Sequence, residues 1–180
     1  MKSPPPGKTV KEMVRDLREG TNLFQDLWNS DIHKIAVENP IMHKYAKKRI
    51  KNYKHYDQKI QPWQFGNDPA GQDNDSKATC LWLKNLPILK PTGTLDGSTA
   101  RNDIHNCPPS PDRWKIRSTF FPGIAKAMAE QWGEQTLRTK KGSVNAPFFI
   151  IVNYCHDIYD GLKAFVYKGF RIISFLSLLS

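Results

Sequence analysis

The hexapeptide Ile35-Ala36-Val37-Glu38-Asn39-Pro40 sets an acid and an amide at the end of an apolar run. A carboxyl group can hold or release a proton, and a carboxamide offers a donor and an acceptor side by side. Open α/β sheets place ligand sites at the carboxyl ends of buried strands, where Glu38 and Asn39 would fall. The same two residues also suit the capping of a following helix, and the hexapeptide alone leaves both readings open.

A second candidate is a cationic run. Lys44, Lys47, Lys48, Arg49, Lys51 and Lys54 are interleaved with His43, Tyr45, Tyr53, His55 and Tyr56. Lysine and arginine neutralise phosphate, and aromatic rings stack on exposed bases. A solvated helix face is the plainer reading of any charge run. A smaller group, Arg113, Lys115 and Arg117, precedes a helix expected from Phe121, whose N-terminus would itself favour anions. The whole chain leans the same way: 27 Lys and Arg against 17 Asp and Glu give a net charge of +10, which favours a polyanionic partner, DNA first and RNA second.

Cys80, Cys107 and Cys155 are odd in number, widely spaced and form no Cys-x-x-Cys pair. Neither a zinc ribbon nor a disulfide framework is indicated, and a reducing, cytoplasmic setting is expected. His105, Cys107, Cys155 and His156 match no known ligand spacing, so neither a metal nor a cofactor is expected. The Pro-rich start, Met1 to Lys8, has no apolar core of the signal-peptide kind. No run reaches the roughly 18 to 20 apolar residues that span a bilayer, so no membrane partner is expected.

These groups need a scaffold, and a hydrophobic content of 39% suffices for one folded domain. Met13, Val14, Leu17, Phe24, Leu27 and Trp28 recur at helical spacing and predict a helix from Val10 to Trp28, broken by Asn29-Ser30-Asp31. Ile32 to Val37 reads as a short buried strand that cannot pass Pro40. A helix over Met42 to Tyr53 and strands over Lys59 to Phe65 and Ala78 to Leu83 follow, with Gly66 to Lys77 a loop. Leu86 to Pro111 reads as irregular. Ile124, Met128 and Trp132 predict a helix from Phe121 to Trp132, with Pro122 in its first turn. Thr139 to Ser143 looks like a hinge, Phe148 to Val152 like a strand, and Leu162 to Leu179 is apolar at helical intervals. No internal repeat is present.

Glu38-Asn39 after an apolar strand resembles the Glu-Asn motif of DNA (cytosine-5) methyltransferases, in which the acid holds the N3 edge of a flipped cytosine. Ile35 to Lys44, Gln61 to Gly66, Lys77 to Pro87 and His105 to Gly133 are similar to methyltransferase-like proteins common in phages and prophages. The nearest likeness lies in Pro108-Pro109-Ser110-Pro111-Asp112-Arg113-Trp114-Lys115 and in Phe121-Pro122-Gly123-Ile124-Ala125-Lys126-Ala127-Met128-Ala129. The resemblance spans about residues 12–133 and corresponds to the C-terminal half of such an enzyme. The family's chemistry also needs a Gly-rich loop for S-adenosylmethionine and a Pro-Cys nucleophile upstream of Glu-Asn. Residues 1–37 contain no cysteine, and Cys80, Cys107 and Cys155 follow Thr79, Asn106 and Tyr154 rather than proline. A covalent mechanism of the usual type is not supported by these residues.

The expected fold is therefore α/β: a small methyltransferase-like, partial Rossmann-type sheet flanked by helices. The expected organisation is a Pro-rich segment (1–9), a methyltransferase-like domain (10–140) and an apolar extension (141–180) that packs on the domain or on a partner. The expected function is non-catalytic nucleic-acid binding, with Glu38 and Asn39 as relict base-pocket residues and no catalytic residue assigned. Two alternatives belong to other classes: a phage inhibitor that binds a host nuclease or defence complex, and one half of a split methyltransferase.

Overall fold

The computed structural model describes residues 8–110, 113–117, 121–137, 149–153, 163–168 and 171–174. The chain is mixed α/β. Helix α1 spans Val10–Trp28, as the periodicity predicts. Thr9 begins it with a reciprocal cap: its hydroxyl accepts from the Glu12 N–H at 3.2 Å, and the Glu12 carboxylate accepts from the Thr9 N–H at 2.8 Å. Asn29 ends it by donating its N–H to the Gln25 carbonyl at 2.9 Å.

Strand β1 is Ile35–Pro40, three residues later than the sequence suggests, because pairing rather than apolarity sets its limits. It runs antiparallel to β3 (Thr79–Lys84), from Ile35 opposite Lys84 to Pro40 opposite Thr79. Strand β2 is only Gln58–Ile60 and pairs antiparallel with β3. The longer strand expected to Phe65 gives way to a 3-10 turn at Pro62–Phe65, since Pro62 cannot donate to a ladder but fits a first helical position. Helix α2, Lys44–Arg49, is shorter than expected; Ile50 is already extended and Asn52 has a φ of 54°.

The irregular segment expected over Leu86 to Pro111 contains one turn of helix, α3 (Asp103–Asn106), followed by α4 (Arg113–Arg117) and α5 (Pro122–Leu137). Beyond them, β4 (Phe149–Asn153) lies parallel to β1, with Glu38 opposite Asn153. Strands β5 (Lys163–Lys168) and β6 (Arg171–Ser174) continue antiparallel, giving the order β2-β3-β1-β4-β5-β6. Over 163–168 and 171–174 the helical spacing read in Leu162 to Leu179 is thus corrected to a strand pair, and the rest of that stretch lies outside the described residues. Dense β-branched and aromatic residues satisfy both periods over a short run, and pairing decides between them. The expected hinge over Thr139 to Ser143 and the segment Met1 to Gly7 lie outside the described residues. Among the described residues no helix is long and apolar enough to cross a membrane.

Two cores cover the two faces of β1 and β3. On one, Ile35, Val37, Cys80 and Trp82 pack with Phe24 of α1 and with Met42, Ala46 and Ile50 around α2. On the other, Ala36, Leu81 and Leu83 pack with Phe121, Ile124, Met128 and Trp132 on and beside α5, and with Leu89. The irregular strap carrying Leu89 is held by side-chain amides acting as borrowed strand partners. The Gln58 amide donates to the Leu89 carbonyl and accepts its N–H, both at 2.7 Å. Gln131 does the same for Lys90, at 2.7 and 2.8 Å. A buried irregular backbone needs such partners, because an unpaired peptide group is destabilising.

Replacing Gln58 with Leu keeps the volume and removes both bonds to the buried Leu89 backbone. The expected loss is about 2–3 kcal/mol, read as a lowered urea midpoint with an unchanged m value. Lys126→Ala, which breaks the exposed pair with Glu130 at 3.9 Å, should change stability by less than about 0.5 kcal/mol.

Candidate nucleic-acid interface and a buried acid

Glu38 and Asn39 are neighbours on a strand, so their side chains leave the sheet on opposite faces. Glu38 follows Ala36 on the α5 face and stands across from Leu81. It is 2% exposed, and its Oε2 has no hydrogen-bond partner among the described residues. Burial raises its carboxyl from the ordinary 4.5 to about 7, while the Lys77 ammonium pulls the other way. Lys77 is half-buried, with its Nζ 5.7 Å from the centre of the Phe121 ring at the start of α5. Burial therefore favours the protonated form of Glu38 to well above the pH at which an exposed glutamate ionises.

Asn39, 3% exposed, lies on the other face and opposes Cys80 on β3. It lines a cavity of about 20 Å³ shared with Thr21 and Phe24 of α1, with Met42, and with Ala46 of α2. That volume holds about one water molecule, so a nucleobase does not fit there in this conformation. The sequence places Glu38 and Asn39 in one expected base pocket; the strand's alternation separates them. Cys80 is fully buried, and burial pushes its thiol up to about 11, which leaves it unreactive.

The cationic run lies on the Asn39 face. Lys44, Lys48 and Arg49 on α2 are exposed, as are Lys51 and Lys54 beyond it, whereas Lys47 is half-buried. The apolar side of α2, Ala46 and Ile50, is what seats it on the sheet. Gln25 of α1 accepts the Lys51 N–H at 2.8 Å, and the Lys54 carbonyl accepts the Trp82 indole N–H at 2.8 Å, so the end of the run is anchored to α1 and to β3. Within the run, Lys54 pairs with Asp57 at 2.6 Å. Three lysines, Lys54 again among them, lie against rings: Lys44 at 5.3 Å from Tyr45, Lys47 at 5.8 Å from Tyr53 and Lys54 at 5.7 Å from Trp28. His43 caps α2, its Nδ1 accepting the Tyr45 N–H at 3.4 Å.

The second basic group is placed differently from expectation. Arg113 and Arg117 are half-buried on α4, and the Arg113 Nε is buried without a partner among the described residues. Lys115 is located on α4 by its backbone alone; its side chain lies outside the description. The α5 N-terminus expected to attract phosphate already holds a carboxylate. Asp73 accepts the Gly123 N–H with both oxygens, at 3.0 and 3.1 Å, and a side chain at Gly123 would collide with the Phe65 carbonyl at 2.3 Å. Burial raises the Asp73 carboxyl, and the Gly123 bond partly offsets this.

Lys77 and Asp73 are the residues that sequence reasoning misses. The signal for Lys77 is the pairing of the end of β1 with the start of β3, which follows once both strands are antiparallel neighbours. Of the four residues weighed for a metal, Cys155 and His156 lie outside the described residues. Among those described, no group of three His, Cys, Asp or Glu side chains is arranged to hold a metal ion. Comparison with protein-family models, with curated proteins and with solved structures gives no match.

The buried acid has a signature in pH. Below about 4.5 both folded and unfolded chains carry the proton, so Glu38 imposes no penalty. Between 4.5 and about 7 the unfolded chain ionises first, and stability falls as pH rises; above about 7 the penalty is complete. A shift of this size corresponds to roughly 3 kcal/mol. Glu38→Gln should abolish that slope in urea titrations run from about pH 4 to about pH 8, leaving a variant more stable than the parent at the alkaline end.

Proposed function

We propose that the chain is a nucleic-acid-binding module of the DNA (cytosine-5) methyltransferase-like type, with the α2 face as its phosphate-contacting surface. The observation that carries this reading is the concentration of exposed cations at 44, 48, 49, 51 and 54 around one short, anchored helix, of which Lys54 is paired to the Asp57 carboxylate. Phosphate contacts release counterions from nucleic acid, so such a surface gains affinity in proportion to the charges it places.

In this reading the sheet is part of a methyltransferase-type layer, and Glu38, at the end of its central strand, is the relict of a base contact, with Asn39 turned to the opposite face. A buried carboxyl near neutrality suits an ancestral contact with a ring nitrogen. Residues 1–180 supply neither a Pro-Cys nucleophile nor a Gly-rich cofactor loop, so methyl transfer is assigned to none of them.

The test is binding to labelled DNA across a salt series. Affinity should fall linearly on a log–log plot against salt. Lys48→Glu combined with Lys51→Glu should weaken binding about 10-fold or more at about 50 mM salt and make the slope shallower by about 2, one for each phosphate deprived of its cation. An unchanged slope would make these lysines ordinary solvated charges. No binding at low salt would remove the reading and direct the +10 charge to an acidic protein, which is the inhibitor alternative.

A further inference from the structure

We infer that the α2 face selects single-stranded over duplex nucleic acid and holds unstacked bases on Tyr45 and His55; this rests on the nucleic-acid reading above. Aromatic rings bracket the cationic run at both ends. At its start the Tyr45 ring lies 5.1 Å from that of His43, tilted by 42°. At its end His55, exposed, lies 4.0 Å from the Tyr56 ring, and Tyr56 meets Trp82 edge-on at 5.9 Å. The second stack is thus footed on a fully buried tryptophan, which fixes its orientation.

Duplex DNA buries its base faces in its own stack, so the half-buried Tyr45 ring and the exposed His55 ring contribute nothing to it. A single strand presents those faces, and each base stacked on a ring strengthens binding with little regard to sequence. The cations agree with that division. Of the five exposed ones, Lys44, Lys48 and Lys51 are point charges suited to phosphate, Lys54 is held by Asp57, and Arg49 carries the fork that reads guanine edges.

Fluorescence anisotropy decides the matter with a mixed-sequence strand of about 12 nucleotides, the same strand in duplex, and inorganic polyphosphate as a charge-only ligand. The single strand should bind at least about 5-fold more tightly than the duplex. Tyr45→Ala and His55→Ala should each weaken single-strand binding about 5-fold or more and leave polyphosphate binding unchanged, whereas Tyr45→Phe and His55→Phe should keep it. Duplex binding equal to or tighter than single-strand binding would overturn the inference, as would alanine variants that bind the single strand like the parent. Binding to duplex and polyphosphate alone would remove this inference and leave the nucleic-acid reading standing. Failure to bind any of the three at low salt would remove both.

Discussion

Everything in this chain follows from one strand being buried on both faces. Ile35 to Asn39 are all inaccessible to water, so β1 needs an apolar layer above and another below. Helices α1 and α2 supply one and α5 the other. A strand in the middle of two layers also needs partners along both edges, which β3 and β4 provide. The strap around Leu89 is part of the same requirement. It closes the α5 layer where no regular element reaches, and Gln58 and Gln131 supply the missing ladder. A carboxamide serves here because it carries the same donor and acceptor as a peptide group.

Two-sided burial also dictates the behaviour of Glu38. An ionised carboxylate in such a layer would have to recover its lost hydration from hydrogen bonds, and Oε2 has none among the described residues. Lys77 offsets part of the penalty but leaves the acid raised to about 7. The fold therefore tolerates Glu38 mainly as a neutral group and gives up stability whenever the proton leaves.

Much of this is legible in the sequence, and the illegible parts have a common cause. Helix α1 can be read to its ends because its signals are local: Thr9 and Glu12 three apart, apolar residues at helical spacing, and Asn29 to stop it. Strand β3 is legible for the same reason. The clamps of Gln58 on Leu89 and Gln131 on Lys90 are not, because their partners lie 31 and 41 residues away and no local pattern encodes the meeting. The Asp73 cap on α5 spans 50 residues and hides likewise. The tail fails differently: Phe165, Val166 and Ile173 fit helical and strand periods alike, and the choice of strand rests on pairing with distant backbone. The shared pocket of Glu38 and Asn39 is a plain misreading, since alternation along a strand already forbids it.

That alternation carries the last step. Because the sheet sends Glu38 to one face and Asn39 to the other, it also keeps the acid away from the cations of α2, which sit on the Asn39 side. Had both been on one face, Lys47 or Lys51 could have paired with the carboxylate, lowering its pKa and neutralising part of the surface. Separation leaves each group with the property that its neighbours would have quenched. Lys44, Lys48, Arg49 and Lys51 stay exposed at the surface, and the acid stays buried with its protonated form favoured. The two-residue period of β1 thus separates the exposed charge of α2 from the buried proton of Glu38.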